Sequence, residues 1–252
     1  SGINLGNYHA LVIGNNEYRE YPALKTAVND ATETAQLLES KFGFKTTILK
    51  NATRYEILAA LNELRETLTD QDNLLIYYAG HGEIDNKTEK GFWLPVDAEQ
   101  GNPRNWISNS AISDILNTLK AKHVMVVADS CYAGTLSVAA MPRVDESMPE
   151  ELQKEWIMAM SQARARTVLT SGGVAPVLDG GGDGHSVFSR AFLETLNSSN
   201  GIIEGHSIYR EVLSKVKSKA RSLNVQQVPE YAPARYAGHE AGEFFFNPGT
   251  TI

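Results

Sequence analysis

Apolar residues in the first half of the chain alternate between two periods. Residues 10–13 form a short apolar run, after which Leu24, Ala27, Ala31, Ala35 and Leu38 recur at three- and four-residue steps. That is the signature of a strand followed by an amphipathic helix. Residues 44–49 predict a second strand, and Thr53-Arg54-Tyr55-Glu56 has the form of a capping box opening a helix whose apolar face is Ile57, Leu61, Leu64 and Leu68. Residues 74–78 and 124–128 are apolar at every position, as strands covered on both faces are, and Ile112, Ile115, Leu116 and Leu119 place a helix between them. Strand and helix in alternation predict an α/β fold, a mainly parallel sheet with helices on both faces.

Residues 82–97 interrupt this alternation with polar turn residues followed by Gly-Phe-Trp-Leu-Pro-Val, which predicts a small hairpin at the sheet edge. Residues 138–151 are polar and punctuated by proline, and predict an exposed connection before a strand resumes at 167–170. The glycine-rich stretch 180–184 leads into a helix carrying Phe188, Phe192, Leu193 and Leu196, and a last helix starts near Ser207. No internal repeat is present. The expected organisation is one domain over 1–252, with a larger first part (about 1–137), a linker loop (about 138–165) and a smaller second part (about 166–252).

Composition narrows the function. The chain has 252 residues, 42% hydrophobic and 21% charged, an ordinary globular balance. A net charge of -7 without any basic block argues against a nucleic-acid partner. Apolar runs of about five residues are far short of the roughly 20 that span a bilayer, so no membrane partner is expected. Lys215, Lys217, Lys219 and Arg221 lie near a helix C-terminus, where positive charge is favourable, and Gly180-Gly181-Gly182 lacks the pattern of a phosphate loop. His9, His123, His185, His206 and His239 show no metal-like spacing and are expected to be structural or exposed. Ser1-Gly2 reads as the remnant of a cleaved tag, which leaves room for a regulatory domain in the natural chain.

Cys131 is the single cysteine, which excludes an internal disulfide framework and suits a reducing, cytoplasmic setting. Taken alone, a free cysteine is most often a buried hydrophobe, and a lone histidine most often structural. Yet Cys131 and His81 each fall two or three residues beyond the end of a predicted core strand, where parallel sheets bind ligands, and glycines flank both. A thiolate beside an imidazole is the pairing that cysteine nucleophiles use.

The motifs Tyr77-Tyr78-Ala79-Gly80-His81-Gly82 and Asp129-Ser130-Cys131-Tyr132-Ala133-Gly134, with the histidine 50 residues upstream of the cysteine, resemble the caspase-fold cysteine peptidases, within them the metacaspase and prokaryotic orthocaspase branch. Residues 8–14, Val28-Asn29-Asp30-Ala31, Thr170-Ser171-Gly172-Gly173 and Asp183-Gly184-His185-Ser186-Val187-Phe188 extend the resemblance over most of the chain. It implies a three-layer caspase-like sandwich and peptide hydrolysis with Cys131 as nucleophile and His81 as acid and base. Backbone amides of Gly82 and Cys131 would hold the oxyanion, and no metal would take part. It also implies cleavage after arginine or lysine, because Asp30 and Asp129 match the family's two acidic pocket residues, and paired carboxylates hold a guanidinium by charge-assisted hydrogen bonds. On its own, Asp30 reads equally well as a helix-start aspartate favoured by the macrodipole.

Departures from the family pattern are Ala27 and Ala79, where serine or cysteine is common, and a single Asp97 after Leu-Pro-Val, which argues against calcium dependence; no cofactor is expected. The expected partners are peptide or protein substrates, and the expected state is a monomer. Arg143, Lys154, Arg164 and Arg166 are the candidate self-cleavage positions. The alternatives are a catalytically silent caspase-like scaffold and an aspartate-specific caspase-type peptidase, the latter disfavoured because no basic residue adjoins Cys131.

Overall fold

The computed structural model describes residues 3–130, 136, 149–172 and 183–249. The central sheet contains β1 (Asn7–Gly14), β2 (Lys45–Lys50), β3 (Asp72–Ala79), β7 (His123–Asp129), β8 (Ala165–Thr170) and β10 (Glu230–Pro233), in the order β10-β8-β7-β3-β1-β2. Neighbours pair in parallel except for β10, which runs antiparallel to β8 at one edge. The expected mainly parallel sheet is present.

Side chains alternating along each strand feed two cores. Val12, Tyr77, Val127 and Leu169 pack against α1 (Ala27–Phe42), α5 (Val187–Ser198) and α6 (Gly205–Ser222). Leu11, Ile13, Ile76, Tyr78, Val126 and Val168 pack on the opposite face against α2 (Arg54–Thr67) and α3 (Asn109–Thr118). Neither face of β3 or β7 meets water, which is why both runs lack polar alternation. The result is a three-layer α/β sandwich.

The capping box forms as read: the Glu56 N–H donates to Thr53 Oγ1 at 3.3 Å, and the Thr53 N–H donates to Glu56 Oε1 at 3.2 Å. Such a cap contributes about 1 kcal/mol. The expected hairpin is β4 (Gly82–Asp85) and β5 (Lys90–Trp93), which β6 (Ile107–Ser108) extends to a three-stranded sheet; β9 (Ile203–Glu204) and β11 (Phe245–Phe246) form a separate pair.

Two expectations change. Leu24 precedes α1 rather than opening its apolar face. The connection expected as a loop contains α4 (Glu150–Gln162), a helix with no fully buried residue, so its sequence carries no continuous apolar stripe. Trp156 meets Phe245 edge-on at 5.8 Å and ties this helix to the body of the protein.

Candidate active site

The strands β3 and β7 end in register, with Ala79 opposite Asp129, and the Gly80 N–H donates to the Asp129 carbonyl at 3.3 Å. His81 therefore leaves the sheet at the same end as Ser130. Cys131 follows Ser130 in the chain and lies outside the described residues, as do Tyr132, Ala133 and Gly134.

His81 is held at its ring and at its backbone. Its Nε2 lies 2.7 Å from the carbonyl oxygen of Pro22. A carbonyl only accepts, so Nε2 carries the proton and Nδ1 keeps the lone pair of the neutral ring. Tyr18 packs edge-on at 4.6 Å, and its hydroxyl accepts from the His81 N–H at 2.8 Å while donating to the Leu94 carbonyl at 2.9 Å. The Tyr78 hydroxyl lies 2.7 Å from the His81 carbonyl oxygen, and the Tyr78 ring stacks on Trp93 at 4.4 Å. A Cβ on residue 80 would come within 2.6 Å of the Tyr18 hydroxyl and 2.7 Å of the Tyr78 hydroxyl, so this close approach needs glycine. Gly82 opens β4, opposite Trp93. Nothing in the apolar pattern marks Pro22 or Tyr18, whose partners are 59 and 63 residues away.

The two aspartates come together through one segment of the second half of the chain. Asp30 lies in the first turn of α1 and is 0% exposed; Asp129 ends β7 and is 3% exposed. Ser186, the N-cap of α5, donates its Oγ hydrogen to Asp129 Oδ2 at 2.5 Å and its N–H to Asp30 Oδ2 at 3.2 Å. His185 Nδ1 lies 2.5 Å from Asp30 Oδ1, and its Nε2 contacts Glu33. Burial holds the Asp30 carboxyl above the ordinary carboxylate range, opposed by the hydrogen bonds from His185, Ser186 and Thr26. Burial also pushes the Tyr77 hydroxyl well up, and the charges of Asp30 and Asp129 push it the same way, so both carboxylates act on one interior point.

His185, one of the histidines expected to be structural or exposed, is buried and stands in the acidic cluster. The cue available in the sequence was the Asp-Gly turn followed by a serine N-cap at the start of α5. The other histidines are placed differently: His9 lies 3.1 Å from Asp72, His123 bonds Asn73 at 2.7 Å with burial lowering it to about 4, and His239 accepts from the Arg166 N–H at 3.0 Å. Among the described residues, no group of three or more histidine, cysteine, aspartate or glutamate side chains could hold a metal ion.

The self-cleavage candidates separate. Arg143 lies outside the described residues, Lys154 is on exposed α4 facing Glu150 at 3.5 Å, and Arg164 donates to the Asn117 carbonyl at 2.6 Å. Arg166 is unsuitable: it is 0% exposed inside β8, and its guanidinium donates to the carbonyls of Leu116, Leu119, Lys122 and Ala165 at 2.8–3.0 Å. Two of these, Leu116 and Leu119, lie at the end of α3, where carbonyls lack helical partners, so Arg166 is a buried cap.

The Caspase domain family model matches residues 7–236. The human mucosa-associated lymphoid tissue lymphoma translocation protein 1 is 36% identical over 113 residues, 45% of this chain and 13% of that protein. Metacaspase-1 of Eremothecium gossypii is 29% identical over 150 residues, 52% of this chain and 32% of that protein. This chain therefore spans a minor part of the curated relatives it matches. Among solved structures, caspase-1 from Spodoptera frugiperda superposes with a TM-score of 0.64 at 15% identity, covering 91% of this chain and 89% of that one. A Geobacter sulfurreducens protein superposes at 0.60 and 17% identity, covering 93% and 97%. The sheet order, the paired strand ends at His81 and Asp129 and the match over 7–236 agree, and the chain belongs to the caspase-domain peptidase family.

Proposed function

We propose that this chain is a cysteine endopeptidase that cleaves after arginine or lysine. The observation that carries the reading is the His81 ring, fixed on the Pro22 carbonyl through Nε2 at the end of β3, in register with the strand end that precedes Cys131. Nδ1 of His81 takes the Cys131 proton, and the thiolate attacks the scissile carbonyl. The amides of Gly82 and Cys131 hold the oxyanion. His81 returns the proton to the leaving amine, and the acyl-enzyme forms. His81 then removes a proton from water, hydroxide displaces the acyl group, and the thiol is regenerated. Asp30 and Asp129 receive the basic side chain before the cleaved bond.

The reading needs no cofactor and no calcium. Among the described residues, no helix is long and apolar enough to cross a membrane. A monomer is favoured by the short edge strand β10, four residues ending in Pro233, which offers little to pair with. A reducing cytoplasmic setting would keep Cys131 as a thiol. Self-processing after Arg143, Lys154 or Arg164 belongs to the same proposal, since all three bear a basic side chain of the kind the pocket would take.

Fluorogenic peptides ending in arginine, lysine or aspartate, given to wild type and Cys131→Ala with and without calcium, test it. Cleavage after arginine or lysine that calcium leaves unchanged and Cys131→Ala abolishes is expected. Cleavage only after aspartate overturns the pocket assignment. Silence on all three, with Cys131 unreactive to a chloromethyl ketone, makes the chain a caspase-shaped binding module.

A further inference from the structure

The acidic pair assigned to substrate is already engaged. Each of the two carboxylates accepts from residues 185–186, and Asp30 is inaccessible while they are seated. Both ring nitrogens of His185 contact carboxylate oxygens, Nδ1 on Asp30 and Nε2 on Glu33.

The segment that brings His185 there is a compact turn. Asp183 and Gly184 both have positive φ, 54° and 78°, which reverses the chain so that residue 185 faces α1. Asn29 Nδ2 donates to the Gly184 carbonyl at 2.8 Å, and Asp183 pairs with Arg190 one turn into α5. The charged groups facing His185 are Asp30 and Glu33 from α1, while Asp183 and Arg190 pair with each other beside it. Glu33 lies at the rim, its side chain 46% exposed, so His185 is seated between a buried carboxylate and a solvent-facing one.

We infer that the P1 pocket is self-occupied: the His185 ring stands on Asp30, where the incoming basic side chain must replace it. The inference rests on the arginine or lysine reading given above. Displacement sets a threshold: the substrate group must recover the hydrogen bonds that His185 and Ser186 give up. This lowers apparent affinity for arginine and lysine by the same factor, because only the fraction of molecules with residues 183–186 withdrawn can bind either.

Steady-state kinetics on matched arginyl and lysyl peptides test this with His185→Ala. If the pocket is self-occupied about nine-tenths of the time, KM for the arginyl peptide falls about tenfold, with the effect in KM rather than kcat. KM for the lysyl peptide falls by the same factor, so the arginine-to-lysine ratio of kcat/KM stays unchanged. Glu33→Gln, a substitution at the exposed rim that keeps the imidazole, lowers KM in the same direction by a smaller factor and serves if His185→Ala does not fold. An unchanged or raised KM in the folded variants overturns the inference, because a residue that merely holds Asp30 in place would weaken substrate binding when removed. Wild type cutting arginyl peptides with KM unmoved in both variants sinks this inference alone; wild type cutting neither basic peptide removes the pocket reading and this inference together.

Discussion

The His81 side of the candidate site and its carboxylate side are built from different interactions. His81 is held by neutral hydrogen bonds and ring contacts, with Pro22, Tyr18, Tyr78 and Leu94 all contributing. Every one of these partners lies within the first 94 residues, on loops and strands around β3. The carboxylate side joins α1 and β7 to a turn from the second half, through charge-assisted contacts to His185 and Ser186. On the proposed reading, neutral hydrogen bonds and ring packing would keep the His81 ring in one orientation for proton transfer. The contacts from the turn at 183–186 would be exchanged for those of the substrate's basic side chain.

The comparison breaks most sharply at His81. His81→Ala is expected to lower kcat on an arginyl peptide about a thousandfold, the loss of a general acid and base, while leaving the thermal midpoint close to wild type. An activity loss matched by unfolding would mean that the ring chiefly supports the fold. Next in size is Asp129→Asn, which keeps an acceptor for Ser186 but removes the charge. It is expected to lower kcat/KM for arginyl peptides about 10- to 100-fold, mainly through KM, the range for losing charge-assisted hydrogen bonds.

Tyr18→Phe sharpens the catalytic half. The ring contact with His81 survives, the hydroxyl bridge from the His81 N–H to the Leu94 carbonyl is lost, and kcat should fall about 3- to 10-fold with KM unchanged. A KM effect would place Tyr18 in substrate binding instead.

The smallest effect on activity belongs to Glu243, a buried carboxyl in the second half whose Oε1 accepts from Tyr231 and from the Phe244 N–H at 2.7 Å. Burial raises it from 4.5 to about 7. Its folded value exceeds its unfolded one, so the folded protein retains a proton that the unfolded chain has released, and stability is lost as pH rises from about 4.5 through 7. Glu243→Gln keeps the acceptor without the charge. Thermal melts should show it more stable than wild type by up to about 3 kcal/mol at pH 8, with the advantage gone below pH 4.5 and peptide cleavage unaltered. A constant difference across that range would mean the carboxyl does not titrate there.

Much of this architecture was legible because it is local. Continuous apolar runs marked β3 and β7, the four residues from Thr53 to Glu56 marked the start of α2, and the Gly-Phe-Trp-Leu-Pro-Val stretch marked the edge hairpin. The helix α4 was not legible, since no residue on it is fully buried and periodicity reports burial. Arg166 misled for a related reason: an arginine is ordinarily exposed, and only the convergence of four carbonyls on its guanidinium makes a buried position tolerable.

Sequence alone determined most of the strand and helix succession, α4 and β10 excepted, together with the order of the histidine and cysteine motifs and the presence of two candidate pocket aspartates, because each is written in residue type and short-range spacing. Tertiary structure decided which nitrogen of His81 carries the proton, through a carbonyl 59 residues away, and which groups now sit on Asp30, through a histidine 155 residues away. Those outcomes depend on hydrogen bonds between segments that meet only after the sheet has set its register, and no period along the chain encodes such a meeting.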